Sequence, residues 1–146
     1  MFIEKDGEIT VELYVRKFRN GTVRVESKID EVPEKDRALF DKVTFRMRPL
    51  TWRQHNEVQR AATVTRPGMG SDLDWVTYKE RKLCTVLVGW DAKTKDTTDA
   101  DGKVVPGKPV PVNDDNILRL APQVAETLLG EFDRATMMGE DERKNS

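Results

Sequence analysis

Hydrophobic and polar residues alternate along the first third of the chain. The alternation occurs in three runs, with apolar positions Ile9, Val11, Leu13 and Val15, then Val23 and Val25, then Val43, Phe45 and Met47. A period of two places every second side chain on one face, which is typical of half-buried strands. Asn20-Gly21 lies between the first two runs and is typical of a hairpin turn. The pattern predicts antiparallel strands near residues 9–16, 22–27 and 42–48.

The rest of the chain changes to a helical period. Thr51 followed by Gln54 matches the capping box that begins many helices. Apolar residues then recur at steps of three and four, notably at Val124, Leu128 and Phe132. This spacing predicts three main helices, near residues 52–65, 72–89 and 122–137. Between the last two, a short helix is expected after an Asn113 cap.

Together these elements predict one α+β domain over residues 1–138. In it, a small antiparallel β-sheet, made of the N-terminal hairpin plus one strand, packs on three or four α-helices. Residues 1–48 form the β-rich part and residues 49–138 the helical part. Residues 91–107 are almost wholly polar, and we expect them to form a mobile loop. The charged residues 139–146 are expected to form a disordered tail.

Composition limits the classes of partner. Charged residues make up 35% of the chain and hydrophobic residues 37%, which indicates a small core under a heavily solvated surface. The 25 basic and 26 acidic residues are interspersed and leave a net charge of −1. Such a balance offers no broad basic face for a phosphate backbone, so nucleic acid is not an expected partner.

The cellular context follows from the cysteine count and the hydropathy pattern. Cys84 is the only cysteine, so the chain forms no internal disulfide, which suits a reducing compartment. The N-terminus becomes charged before a signal-peptide core develops. No segment approaches the roughly 20 consecutive apolar residues of a membrane span. We therefore expect a cytoplasmic protein without membrane contact.

The sequence offers little catalytic chemistry. His55, the single histidine, lies about thirty residues from Cys84, and neither has the neighbours that a metal site needs. Aligning Gly102 with the invariant central glycine of a calcium-binding loop would place Lys108 where a glutamate ligand is required. Nucleotide-binding glycine patterns are also missing. We expect no catalytic residues, no metal and no cofactor, although a small enzyme with a dispersed acid or hydroxyl site stays open.

Exposed apolar residues are the remaining candidates for function. For each of the three tryptophans, Trp52, Trp75 and Trp90, core packing is the commoner role. Trp75 is the expected exception, because it lies off the apolar face of its predicted helix. We therefore take Trp75, Leu128 and Phe132 as candidate partner-binding residues, in a groove that receives an amphipathic helix.

Several short motifs carry a family resemblance. They are Arg48-Pro49-Leu50-Thr51-Trp52-Arg53-Gln54, then Trp75-Val76-Thr77-Tyr78 in a helix ending at Val88-Gly89-Trp90, then Gly107-Lys108-Pro109-Val110-Pro111-Val112 with two following helices. In this order they resemble the tail assembly chaperones of long-tailed bacteriophages, over about residues 42–136.

The resemblance implies a function without catalysis. Members of this family bind the tape measure protein in the host cytoplasm and keep it soluble until tail tube subunits polymerise around it. The tape measure protein is therefore the expected partner, with the tail tube protein as a second candidate and a homo-oligomer left open. A structural minor tail or baseplate protein, retained in the virion, is the alternative.

Overall fold

The protein is described here from a computed structural model covering residues 1, 3 and 7–144, with side chains described as far as residue 137. In chain order, the first half contains β1 (Ile9–Lys17), β2 (Val23–Glu26), two short 3-10 helices (Ile29–Glu31 and Glu34–Leu39), β3 (Asp41–Met47) and α1 (Trp52–Ala62). The second half contains β4 (Thr63–Arg66), β5 (Gly70–Leu73), α2 (Trp75–Val86), β6 (Leu87–Trp90), β7 (Thr97–Thr98), β8 (Val104–Val105), α3 (Asp114–Leu118) and α4 (Pro122–Lys144).

A four-stranded antiparallel sheet in the order β2-β1-β3-β6 is the centre of the fold. Its three predicted strands are confirmed, and Leu13 of β1 lies opposite Val43 of β3 in the ladder. The inner face of the sheet packs with α2, α3 and α4 into one core. Its buried members are Val11, Leu13, Val15, Phe45, Met47, Leu83, Val86, Leu87, Ile117, Val124, Leu128, Leu129 and Phe132. The predicted α+β class is therefore confirmed.

The helix predicted over residues 72–89 is shorter at both ends. It begins at Trp75 after an Asp74 cap, and it ends at Val86, where the chain continues as β6 and pairs with β3. Strand pairing overrides the helical period here, because the exposed edge of β3 needs hydrogen-bond partners. Gly89 suits the strand, since a Cβ at this position would collide with the Arg46 guanidinium.

The predicted helix over residues 52–65 also ends early. Its capping box is confirmed, with the Thr51 side chain accepting from the Gln54 backbone N–H. However, α1 ends at Ala62, and β4 and β5 form a separate hairpin that the helical period did not predict. The β-branched residues of β4 favour a strand. Gly68 and Gly70, with φ of 76° and 73°, allow the turn.

The segment predicted as a mobile loop, residues 91–107, contains regular pairing. β7 and β8 form a two-stranded ladder within it. At the base, Thr94 donates its backbone N–H to the Lys108 carbonyl at 2.9 Å. The Asp96 carboxylate accepts from the Gly107 backbone N–H at 2.7 Å. The predicted loop therefore contains a two-stranded ladder that its polar sequence pattern does not reveal, and its mobility stays a prediction.

The tail prediction is corrected in part. Helix α4 continues to Lys144, so the predicted end near Met138 and a disordered tail from residue 139 are wrong for residues 139–144. A single glycine such as Gly139 costs a helix only about 1 kcal/mol, and the Glu, Arg and Lys that follow are good helix formers. Residues 145–146 of the predicted tail lie outside the described residues.

Replacing Leu128 with alanine should lower the free energy of unfolding by about 3 kcal/mol. Its side chain is fully buried, so truncation removes apolar contacts and leaves a cavity. Leu118→Ala is the matched control, because Leu118 is 49% exposed and should cost below about 1 kcal/mol. Urea unfolding followed by circular dichroism measures both. Equal losses would contradict the described packing of α4.

Gly107→Ala should disturb the base of the β7–β8 segment. The new Cβ would collide with the backbone carbonyl oxygen of Thr94, so the hydrogen bonds between the two sides must shift. Amide hydrogen exchange at Thr94 and Val110 should accelerate, while exchange in the core stays slow. Gly130→Ala on α4 is the control, because its Cβ would meet open space and alanine favours a helix. Unchanged exchange in Gly107→Ala would contradict the paired geometry.

Candidate functional site

The described residues hold no cluster of His, Cys, Asp and Glu suited to a metal ion. His55 lines an open basin of about 610 Å³ together with Tyr78, Lys82 and Asp133. Lys82 Nζ lies 2.7 Å from Asp133 Oδ1 and within 6 Å of the Tyr78 and Phe132 rings. These contacts occupy the ammonium group, so the ion pair that lines the basin has the structural role of joining α2 to α4.

A largely apolar concave surface lies between α2, α3 and α4, and we call it the α2–α4 groove. Its cavity volume is about 330 Å³. The residues lining it are Val76, Lys79, Glu80, Leu83, Ile117, Leu118, Leu120, Pro122, Ala125, Glu126 and Leu129. The floor is formed by the buried side chains of Leu83, Ile117 and Leu129. At the rim, Val76 is 62% and Leu118 49% exposed.

Local capping interactions position both exposed rim residues. At α2, the Asp74 carboxylate accepts hydrogen bonds from the backbone N–H groups of Val76 and Thr77. The Thr77 hydroxyl donates a hydrogen bond to Asp74 Oδ2 at 2.9 Å. This bond is the main cause of the lowered pKa of the Asp74 carboxyl. At α3, the Asn113 side chain accepts from the Asn116 backbone N–H at 2.9 Å. Each cap therefore fixes the first turn of a helix that borders the groove.

Ion pairs cross the surface beside the groove. Lys79 Nζ lies 2.7 Å from Glu126 Oε1 and joins α2 to α4, with both side chains about half exposed. An exposed pair of this kind contributes little to stability, because water and salt screen it. The remaining lining carboxylate, Glu80, forms no ion pair with any residue in the described part of the chain. The groove is therefore apolar inside and charged only at its border.

The structure does not bring the three predicted binding residues together. Leu128 is fully buried and Phe132 is 4% exposed, so the prediction that they face a partner is wrong. The stripe at steps of four is the face with which α4 closes the core, leaving Ala125 and Leu129 on its flank to line the groove. Trp75 is 66% exposed, in keeping with its expected place off the helix face.

The other tryptophans differ in burial. Trp52 is 83% exposed, so the expectation of core packing is wrong for it. Trp90 is half-buried and makes an edge contact with Phe45, at 6.2 Å between ring centroids. Its indole N–H donates to the Val110 carbonyl at 2.7 Å, which joins β6 to the segment before α3. Trp75 makes a similar edge contact with Tyr78 at 5.5 Å.

Sequence reasoning missed Val76 and Leu118 as exposed groove residues. Neither residue is among the three candidate binding residues predicted from the sequence. A signal for Leu118 was nevertheless present. Neighbouring helical residues point about 100° apart, so Ile117 and Leu118 cannot both enter the core from a five-residue helix. Ile117 is the buried member of the pair.

Comparisons with known proteins add no family assignment. The chain matches no protein-family model, no curated protein sequence and no solved structure. Within the described residues, none of the helices is both long and apolar enough to cross a membrane.

Cys84 should react slowly with alkylating reagents at neutral pH. Burial raises the pKa of the Cys84 thiol, and the negative charge of Asp114 raises it further. A higher pKa leaves less thiolate, which is the reactive form. The midpoint of the iodoacetamide rate against pH should therefore lie higher in the folded protein than in urea-unfolded protein. A folded-state midpoint at or below the unfolded one would contradict this environment.

Proposed function

We propose that this protein is a noncatalytic binding protein, a tail assembly chaperone of a long-tailed bacteriophage. In this proposal it binds the tape measure protein in the host cytoplasm and keeps it soluble during tail assembly. The observation that carries the proposal is the α2–α4 groove, with its buried apolar floor and the exposed rim residues Val76 and Leu118. The motif resemblance supplies the identity of the partner.

The groove suits a helix with an apolar stripe. Pockets for small ligands span roughly 300–1,000 Å³, and a cavity of about 330 Å³ is at the lower end of that range. It is also open along one side, so it can receive a few apolar side chains of a larger partner. Helix-in-groove recognition uses such side chains at steps of three and four residues. The charged border at Lys79, Glu80 and Glu126 would contact the polar flank of the partner's helix.

Trp75 extends the proposed surface beyond the groove. It directly precedes Val76 at the start of α2, and both side chains are exposed, at 66% and 62%. Tryptophan is enriched at the centres of binding interfaces because it buries a large apolar area. Full burial of an exposed Val or Leu side chain contributes roughly 1.5–3 kcal/mol, before the entropic costs of binding. Val76 and Leu118 are already partly buried and would contribute only part of that free energy.

Co-expression with the cognate tape measure protein tests this proposal. The wild-type protein should raise the soluble fraction of the tape measure protein, and Val76→Glu should reduce that effect because it places a charge at the apolar rim. Trp75→Glu should weaken capture by about 2 kcal/mol, or roughly thirtyfold. Soluble fractions are measured after centrifugation, with thermal midpoints of each purified variant as the folding check.

Val104→Glu is the matched control for Val76→Glu. Val104 lies on β8, outside the groove, and is 68% exposed, so it receives the same change in a similar setting. It should rescue the tape measure protein as well as the wild type does. No rescue by the wild type would remove the chaperone proposal, whereas full rescue by Val76→Glu would remove only the groove.

The alternative of a structural tail or baseplate protein predicts a different distribution. A chaperone leaves the assembly, so purified virions should lack the protein while infected-cell lysates contain it. Quantitative mass spectrometry of both fractions measures this. A fixed copy number in virions would favour the structural protein over the chaperone.

A further inference from the structure

Positive charge is concentrated in the first hairpin. Residues 16–28, which we call the basic hairpin, contain five basic residues, Arg16, Lys17, Arg19, Arg24 and Lys28, and one acidic residue, Glu26. This short segment carries a net charge of +4 in a chain whose total is −1, so the remainder carries −5. The net charge of the whole chain is near zero, but the charge is unevenly distributed, which the overall count of basic and acidic residues does not show.

The strand register brings like charges together. In the β1–β2 ladder, Arg16 lies directly opposite Arg24. Like charges at opposed positions of an antiparallel pair are destabilising. Glu26 partly offsets this, since the Arg24 Nε donates to it at 3.0 Å. Across the described residues, no carboxylate within 4 Å pairs with Arg16, Lys17 or Arg19.

An exposed aromatic ring lies among these cations. The Arg16 guanidinium is 4.8 Å from the Phe18 ring centroid, and Phe18 is 38% exposed next to the turn. This cation–π contact restrains the guanidinium without neutralising its charge. Strand β2 is also the edge of the sheet, with no further strand beside it in the part of the chain that the structure describes. The surface thus presents fixed cations, an apolar ring and an unpaired strand edge.

We infer that the basic hairpin is a second docking surface, which binds an extended acidic segment of a protein partner. A carboxylate held between Arg16 and Arg24 would replace their repulsion by two charge-assisted hydrogen bonds. A second carboxylate would reach Arg19 at the turn. The inference goes beyond the proposed function, because it uses no residue of the α2–α4 groove and requires no tape measure protein.

A short acidic segment fits this surface better than nucleic acid. Tight binding to a phosphate backbone uses many cations spread along a face, because each neutralised phosphate adds to the affinity. Here five cations lie on one small hairpin, and the rest of the chain, at −5, repels a long polyanion. A segment with a few Asp or Glu residues avoids most of that repulsion.

Fluorescence anisotropy with the full chain tests the inference. The probe is a short fluorescein-labelled peptide in which glutamate and threonine alternate, and the comparison peptide has glutamine in place of glutamate. At low salt the glutamate peptide should bind about tenfold or more tightly than the glutamine peptide, and high salt should remove the difference. Equal binding of the two peptides would overturn the inference. Tighter binding of a single-stranded RNA of equal length would overturn it in favour of nucleic acid.

Arg16→Glu separates binding from folding. It creates an opposite-charge pair with Arg24, so the thermal midpoint should not fall, while affinity for the glutamate peptide should drop about tenfold. Arg19→Glu at the exposed turn should also weaken binding, which keeps the test decisive if the strand variant is unstable. Arg53→Glu on α1 makes the same change in net charge at an exposed site outside the hairpin. Equal losses in Arg53→Glu and the hairpin variants would overturn the assignment, because total charge would then explain the binding.

Discussion

The packing of one face of α4 on the inner face of the sheet is the contact on which the rest of the structure depends. Leu128 from α4 and Leu13 from β1 are both fully buried members of one core. A chain of this size, with 37% hydrophobic residues, supports one such core. It also places α2 and α3, because these helices cover the apolar area that α4 and the sheet leave open.

That constraint also explains where the groove lies. A helix has one face for the core, and on α4 the stripe through Val124, Leu128 and Phe132 is used there. The flank of the helix, with Ala125 and Leu129, is left to be covered by α2 and the short α3. Five residues of α3 are too few to close the surface, so Leu118 remains half exposed. The groove is thus the part of the helical layer where the outer edge of the core stays uncovered.

The sequence predicts β1, β2 and β3 because their period of two is uninterrupted. It also predicts the Thr51 and Asn113 caps, because capping depends on neighbouring residues alone. It fails at β6, where pairing with a distant strand overrides a helical pattern. The sequence was less informative about the binding residues. Periodicity identifies an apolar stripe but cannot say whether a partner or the core covers it, so Leu128 and Phe132 were assigned to the wrong surface while Trp75 was correctly expected to be exposed.

The two surfaces differ in the physical terms that they offer to a partner. The α2–α4 groove offers apolar burial, which contributes affinity with little dependence on salt. The basic hairpin offers charge, which contributes specificity and association rate and weakens as salt rises.

Opposed arginines at Arg16 and Arg24 lower the stability of the isolated strand pair, and such local conflicts persist where another interaction compensates for them. Within the described protein, Glu26 compensates only Arg24 by an ion pair, and the Arg16 guanidinium rests on the Phe18 ring with its charge still available. The remaining compensation must come from solvent or from an acidic partner.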